Sequence, residues 1–219
     1  MPGKKERQNS FFLFQKITVK AFLLCLTFVL EAYPIFANKK FNFKHLTIEN
    51  GLSQSWVRCI LQDKYGFMWF GTDNGLNRYD GSSFVVYMND PANSKSLSNS
   101  RINALYEDKD GNIWVGTLNG LNLFDRKTNT FSCDPSWPSS RVTSIAADKQ
   151  ENLWIGTHSG LYFLDKHTQK ASYCAYATDK NKVNNLAINK VYVDKENNVW
   201  IATMNGLNVI KSKTKQVIF

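Results

Sequence analysis

From residue 57 onward, short apolar runs rich in β-branched side chains alternate with polar breaks, a spacing that fits strands and gives no helical period. Four runs set the beat, at 57–63, 102–108, 142–148 and 188–194. Each begins 12 residues before a tryptophan and ends at an aspartate: Asp63, Asp108, Asp148 and Asp194. A turn follows each one. Its Asp can accept backbone N–H groups, and Gly66, Gly111 and Asn197 can take a positive φ at its end. Glu151 holds that position in the third copy, so a strained or differently shaped turn is expected there.

The second strand of each unit carries the tryptophan: Trp69, Trp114, Trp154 and Trp200, spaced 45, 40 and 46 residues apart. A period of that size marks a repeat architecture. An indole fills the gap between neighbouring sheets, and Gly71, Gly116, Gly156 and Ala202 allow close packing beside it. Asn-Gly or Ser-Gly follows, ending at Gly75, Gly120, Gly160 and Gly206; between strands this is a strong hairpin signal. Third strands are expected at 76–80, 121–125, 161–165 and 207–211, and fourth strands at 84–87, 130–133, 171–176 and 217–219.

Four antiparallel strands every 40 to 46 residues make a propeller blade. The fold expected is therefore all-β, with four four-stranded antiparallel blades at 56–88, 101–133, 141–176 and 187–219. Residues 38–55 read as an orphan outer strand and linker, because Gly51-Leu52-Ser53 matches Ser96-Leu97-Ser98 in the loop leaving a fourth strand. An orphan outer strand with no blade to complete favours an open arc of a larger, seven-bladed type of ring, truncated at residue 219.

Residues 1–37 have a basic start, an apolar run at 21–30, then Pro34 and the small Ala37, which is the order of a signal peptide. The run is short for a membrane span; retention of residues 11–36 as an uncleaved anchor is the alternative. The expected location is the periplasm. The formal charge is +9; five basic and two acidic residues lie in 1–37, leaving 22 against 16 in the remainder. The remaining lysines are scattered, so no nucleic-acid face is read from them. Cys59 is expected as a buried free thiol, and Cys133 and Cys174 fall at similar places in successive repeats, where they would not face each other.

The turn-borne Asp followed by Gly-x-x-Trp-x-Gly-Thr-x-x-Gly-Leu-x-x-x-Asp resembles the two-component regulator propeller repeat, over residues 41–219. The opening Phe43-Lys44-His45-Leu46-Thr47-Ile48-Glu49-Asn50-Gly51-Leu52-Ser53 looks like the start of those sensors after their signal peptide. Ala202, Lys211 and Glu151 depart from the pattern. The resemblance implies the exported sensor region of a hybrid histidine kinase anchored in the inner membrane. Its partners would be an oligosaccharide or other small ligand, the remaining blades and downstream domains of the parent, and a second copy in a homodimer. This sequence has no kinase His box, ATP-binding glycines or receiver aspartate, so it would be the sensor portion alone.

Candidate chemistry is sparse. His45, His158 and His167 lack metal-ligand spacing, and no nucleophile elbow or phosphate loop is present, so neither metal, cofactor nor catalysis is expected. The four repeated aspartates read as turn residues. The residues just before the innermost strands, Trp56, Arg101, Arg141 and Ala187, should gather at one mouth of the channel. Trp56 would stack on a sugar, and Arg101 and Arg141 would bind carboxylates or sulfates. The competing reading packs Trp56 under a loop and pairs the arginines with nearby aspartates. Arg58, Asn103, Thr143 and Asn189, one position further on from each strand start, share that choice. The alternatives in function are a scaffold for protein–protein interaction or dimerisation and, less favoured, a propeller lyase or hydrolase.

Overall fold

The computed structural model describes residues 42–174, 183, 185–214 and 217–218. The signal-peptide expectation for 1–37 lies outside them, as do most of the loop at 177–187 and the far end of the third blade's expected outer strand. The chain divides into two units, residues 1–44 and residues 45–219. Of the first, residues 42–44 are described, exposed and without regular structure.

The second unit holds four sheets, each of four antiparallel strands in sequence order. Blade 1 is β1 (Val57–Gln62), β2 (Met68–Thr72), β3 (Gly75–Tyr79) and β4 (Phe84–Tyr87). Blade 2 is β5 (Ile102–Glu107), β6 (Ile113–Thr117), β7 (Gly120–Asp125) and β8 (Thr130–Ser132). Blade 3 is β9 (Val142–Ala147), β10 (Leu153–Thr157), β11 (Gly160–Leu164) and β12 (Ala171–Tyr173). Blade 4 is β13 (Ile188–Val193), β14 (Val199–Thr203), β15 (Gly206–Ile210) and β16 (Val217–Ile218). The innermost strands are neighbours in order, β1 beside β5, β5 beside β9 and β9 beside β13.

The orphan outer strand expected within residues 38–55 has no blade of its own to complete here. Residues 42–47 form no strand, and Ile48–Asn50 is a single 3-10 turn. A strand needs a ladder partner, and each of the four sheets already has its own outer strand. The next segment, Leu52-Ser53, does dock as the sequence match implies. Leu52 is buried, and Ser53 is held by Thr72 Oγ1 at 2.9 Å and by the Asn77 amide at 2.8 Å. Leu97 is likewise buried, and Ser98 repeats both bonds to Thr117 and Asn122.

Three apolar cores lie between successive blades. Trp69, Phe124, Ile113 and Val115 fill the first. Trp114, Ile145, Ile155 and Leu164 fill the second, and Trp154, Val191, Val199 and Ile201 the third. Burying a side chain of this size contributes roughly 1.5–3 kcal/mol, against about 1 kcal/mol net for a typical hydrogen bond, so the wedges between sheets hold the arc more than the ladders within them do. Packing is close at Gly71, where an added Cβ would lie 2.7 Å from Ile102 Cγ2 of the next blade.

The aspartate turns explain themselves. Asp63 Oδ1 accepts the Tyr65 and Phe67 N–H groups, both at 3.0 Å, while Oδ2 accepts the Trp69 indole N–H at 2.8 Å. Asp108 and Asp194 take their indoles at 3.1 and 2.7 Å. Asp148 holds its turn through Gln150 and Asn152, but the Trp154 indole N–H has no partner. Glu151 takes the same positive φ, 66°, as Asn197 at the matching position, so the turn keeps its shape and Glu151 carries the strain. Cys59, Cys133 and Cys174 are all free; burial pushes the Cys59 and Cys174 thiols up to about 12.

Candidate functional site

Two local features aim side chains at one end of the arc. The first is a bulge in every innermost strand, where the β1–β2 register skips between Val57 and Cys59. The same skip leaves Asn103, Thr143 and Asn189 without ladder partners in the other three blades. A bulged residue is freed from the pleat and re-aimed, a device common next to binding sites. The second is the hairpin between the second and third strands. Only its glycine takes a positive φ, as at Gly75 (119°), so Asp73-Asn74 form the loop and Asn74-Gly75 are not its two central residues. That puts the first loop residue beside the start of the innermost strand. The Leu118, His158 and Met204 N–H groups donate to the carbonyls of Arg101, Arg141 and Ala187, at 3.0, 3.0 and 3.1 Å.

The result is a cavity of about 340 Å³ at the mouth, bordered by all four blades and lined by Trp56, Val57, Arg58, Asn103, Arg141, Thr143, His158 and Asn189. Its volume is at the low end of the roughly 300–1,000 Å³ of small-molecule sites. Trp56 is 66% exposed, so it is not packed under a loop. The Arg58 guanidinium stacks 5.3 Å from the centre of its ring.

Two arginines share one carboxylate, and a third acts on it only through its field. Arg58 donates to Asp73 through Nε and through a terminal nitrogen at 3.0 Å. Arg101 Nε lies 3.0 Å from the same carboxylate, within ion-pair range but poorly aligned for a hydrogen bond. Hydrogen bonding to Arg58, with the fields of all three arginines, holds the Asp73 carboxyl below its usual range. Arg141 forms no ion pair among the described residues, and its buried Nε has no acceptor. Burial first, then repulsion from Arg101 and Arg58, lowers its affinity for its proton. Asn103 has neither amide atom satisfied.

Of the residues singled out in the sequence, Trp56, Arg58, Asn103 and Arg141 come together around the cavity. Arg101 stands behind Asp73 and not in the lining. Pairing with aspartate holds for Arg58 and Arg101 and fails for Arg141. Sequence reasoning missed Asp73, and it set His158 aside for lacking metal-ligand spacing. The signal was variability: positions 73, 118, 158 and 204 read Asp, Leu, His and Met inside an otherwise repeated motif.

Comparison with known proteins bears on the repeat and the fold. Residues 51–74, 96–119 and 136–159 match the model of the two-component regulator propeller. The extracellular domain of a hybrid two-component system from B. thetaiotaomicron superposes with a TM-score of 0.71 at 29% identity, over 80% of this chain and 26% of that one. The extracellular domain of a one-component system from the same organism gives 0.67 at 27% identity, over 82% of this chain and 27% of that one. Histidine kinase P4 of Formosa agariphila is 50% identical over 60 residues, which are 27% of this chain and 4% of that protein. The chain thus spans about a quarter of the solved domains it matches. Three of its repeats thus match the two-component regulator propeller model, and its described blades are similar in fold to the extracellular domains of such sensor systems.

Proposed function

We propose that this chain is the ligand-sensing propeller of an exported two-component sensor and that it recognises an oligosaccharide at the mouth described above. The observation that carries the reading is the cavity itself. It meets all four blades, and it presents an exposed indole beside unsatisfied donors and acceptors. Sugars are recognised by that combination, a flat apolar face for the ring and fixed polar groups for the hydroxyls. Further blades of the same polypeptide cover the open faces of blades 1 and 4, and the signal passes to domains beyond them on the other side of the inner membrane. Among the described residues no helix is long and apolar enough to cross a membrane.

Titration calorimetry against a panel of plant, algal and host oligosaccharides tests the proposal. At least one glycan should bind, and Trp56→Ala should weaken it about tenfold or more without lowering Tm, because an exposed indole supports little of the fold. Absence of any glycan binding, together with capture of a protein partner by the same surface, would favour the scaffold reading.

A further inference from the structure

The charge arrangement at the mouth says more about the ligand than its being a sugar. Arg58, Arg101 and Arg141 face a single carboxylate, Asp73. Asp73 is shared by Arg58 and Arg101, so one positive charge is offset and two are not. The free guanidinium is Arg141, whose Nε is buried yet unbonded and which lines the cavity. Desolvating a cation without a partner is costly, and mutual repulsion among arginines adds to the cost. Asp148, for comparison, lies at a groove between blades 3 and 4 and spends its oxygens on its own turn. Arg141 has no such internal outlet among the described residues. Asn103 lines the same cavity with its amide nitrogen and oxygen both free, offering one N–H donor set and one acceptor.

We infer that the mouth selects an acidic saccharide, one whose ring carries a carboxylate or a sulfate ester, and that Arg141 is the anion anchor with Asn103 completing it. This rests on the saccharide reading above. A planar guanidinium binds either oxyanion through paired N–H donors, and such charge-assisted bonds are about twice as strong as neutral ones. Asp73 works as the counter-charge. It keeps Arg58 flat against Trp56 and Arg101 out of the cavity, so a single anion site remains.

The test is calorimetric titration of the protein with two matched pairs: tetragalacturonate and its methyl ester, and a sulfated galactose tetrasaccharide and its desulfated form. The acidic member of at least one pair should bind at least about tenfold more tightly than its neutral partner, with an affinity that falls as salt rises. The pair that shows the preference identifies carboxylate or sulfate as the source. Arg141→Gln should bring the two members to within about twofold of each other while leaving Tm unchanged, since Arg141 has no partner to lose. Asp73→Asn should do the reverse and raise affinity for the acidic member severalfold, because Arg58 and Arg101 are then uncompensated. Neutral members binding as tightly as acidic ones, or a preference that survives Arg141→Gln, would overturn the inference and leave the saccharide reading standing. If none of the four binds and the wider glycan panel also fails, both fall.

Discussion

Leu161 and Leu207 occupy the same position in blades 3 and 4, yet the first is buried and the second is 50% exposed. The contrast runs through both ends of the arc. Phe70 is half-buried where Val115, Ile155 and Ile201 are fully buried, and Ile60 is 61% exposed where Ile145 and Val191 are buried. At the other end Trp200 is half-buried where Trp69, Trp114 and Trp154 are buried, and Tyr192 beside it is 60% exposed. The repeat writes the same apolar face into every blade, but a face becomes core only when another blade lies against it. A blade is thus half of two interfaces, which is how stacked repeats gain stability from their neighbours.

The comparison is sharpest at the tryptophans. Trp114→Ala empties an interior wedge and should cost about 3–5 kcal/mol in chemical denaturation. Trp200→Ala removes a half-exposed ring and its bond to Asp194, and should cost about 1–2 kcal/mol. Equal costs would mean the end face is covered after all.

Arg126→Ser comes next. Arg126 reaches back from blade 2 to blade 1, with one nitrogen 2.8 Å from the fully buried Asp63 carboxylate, another 3.2 Å from Glu107, and Nε donating to the Gly111 carbonyl. Lys166 makes the corresponding reach from blade 3, to Asp110 at 3.1 Å. Blade 4 has Ser212 there, too short to reach Asp148, and the cavity beside Trp154 and Asn152 is about 130 Å³, against about 80 Å³ for its counterpart beside Trp114, which Lys166 lines. Arg126→Ser should therefore reproduce this gap between blades 1 and 2 at a cost of about 2–4 kcal/mol, since it strands a buried carboxylate. A loss well under 1 kcal/mol would refute the clamp.

The acid dependence separates the same two regions more gently. Burial alone would raise the Asp63 carboxyl, but bonds from Trp69 and Arg126 outweigh it and the group lies below its usual range. At Asp194 burial is likewise outweighed, by Trp200 and Asn198, and the value falls to about 2. A depressed carboxyl stabilises the fold above its unfolded value, near 3.9, and that stability is lost as pH falls through the folded value. The denaturation midpoint should hold steady from neutral pH to about pH 5 and drop between about pH 4 and pH 2. Asp63→Asn should lower the neutral-pH midpoint and shrink that drop; an unchanged acid limb would remove Asp63 from it.

Smallest is Glu151→Gly, which removes a left-handed strain of about 1 kcal/mol and a largely buried carboxylate whose second oxygen has no partner, along with its ion pair to the exposed Lys109. Tm should rise slightly, and a fall would show that the ion pair outweighs the strain.

Much of the fold was legible in the sequence because the repeat states each constraint four times. The Asp turn, the indole, the close-packing glycine and the hairpin glycine each have one physical reason, and the strands appear at the spacing those reasons require. The site was legible only where chain position decides it, as for Trp56 and Arg141 beside the strand starts. Asp73 was not, because its partners Arg58 and Arg101 are 15 and 28 residues away in sequence and meet it only through the bulge and the hairpin loop. The unpartnered Trp154 indole was equally hidden, since Asp148 stands at the expected place and bonds elsewhere. Residues 42–47 read as an orphan strand because Gly51-Leu52-Ser53 matches the loop leaving a fourth strand; the outer position of every described sheet is filled by a blade's own strand, so they have no ladder to join here.

The central claim is that these four blades, taken without any further ones, form an open arc with an apolar face at each end that no described residue covers. Melting temperature measured across a hundredfold range of protein concentration tests it most directly. An open arc should melt broadly and at a temperature that climbs with concentration, as exposed faces around Ile60 and Leu207 associate. A sharp transition at one temperature throughout, from a protein that sediments as a monomer, would contradict the account and mean that the faces are already closed.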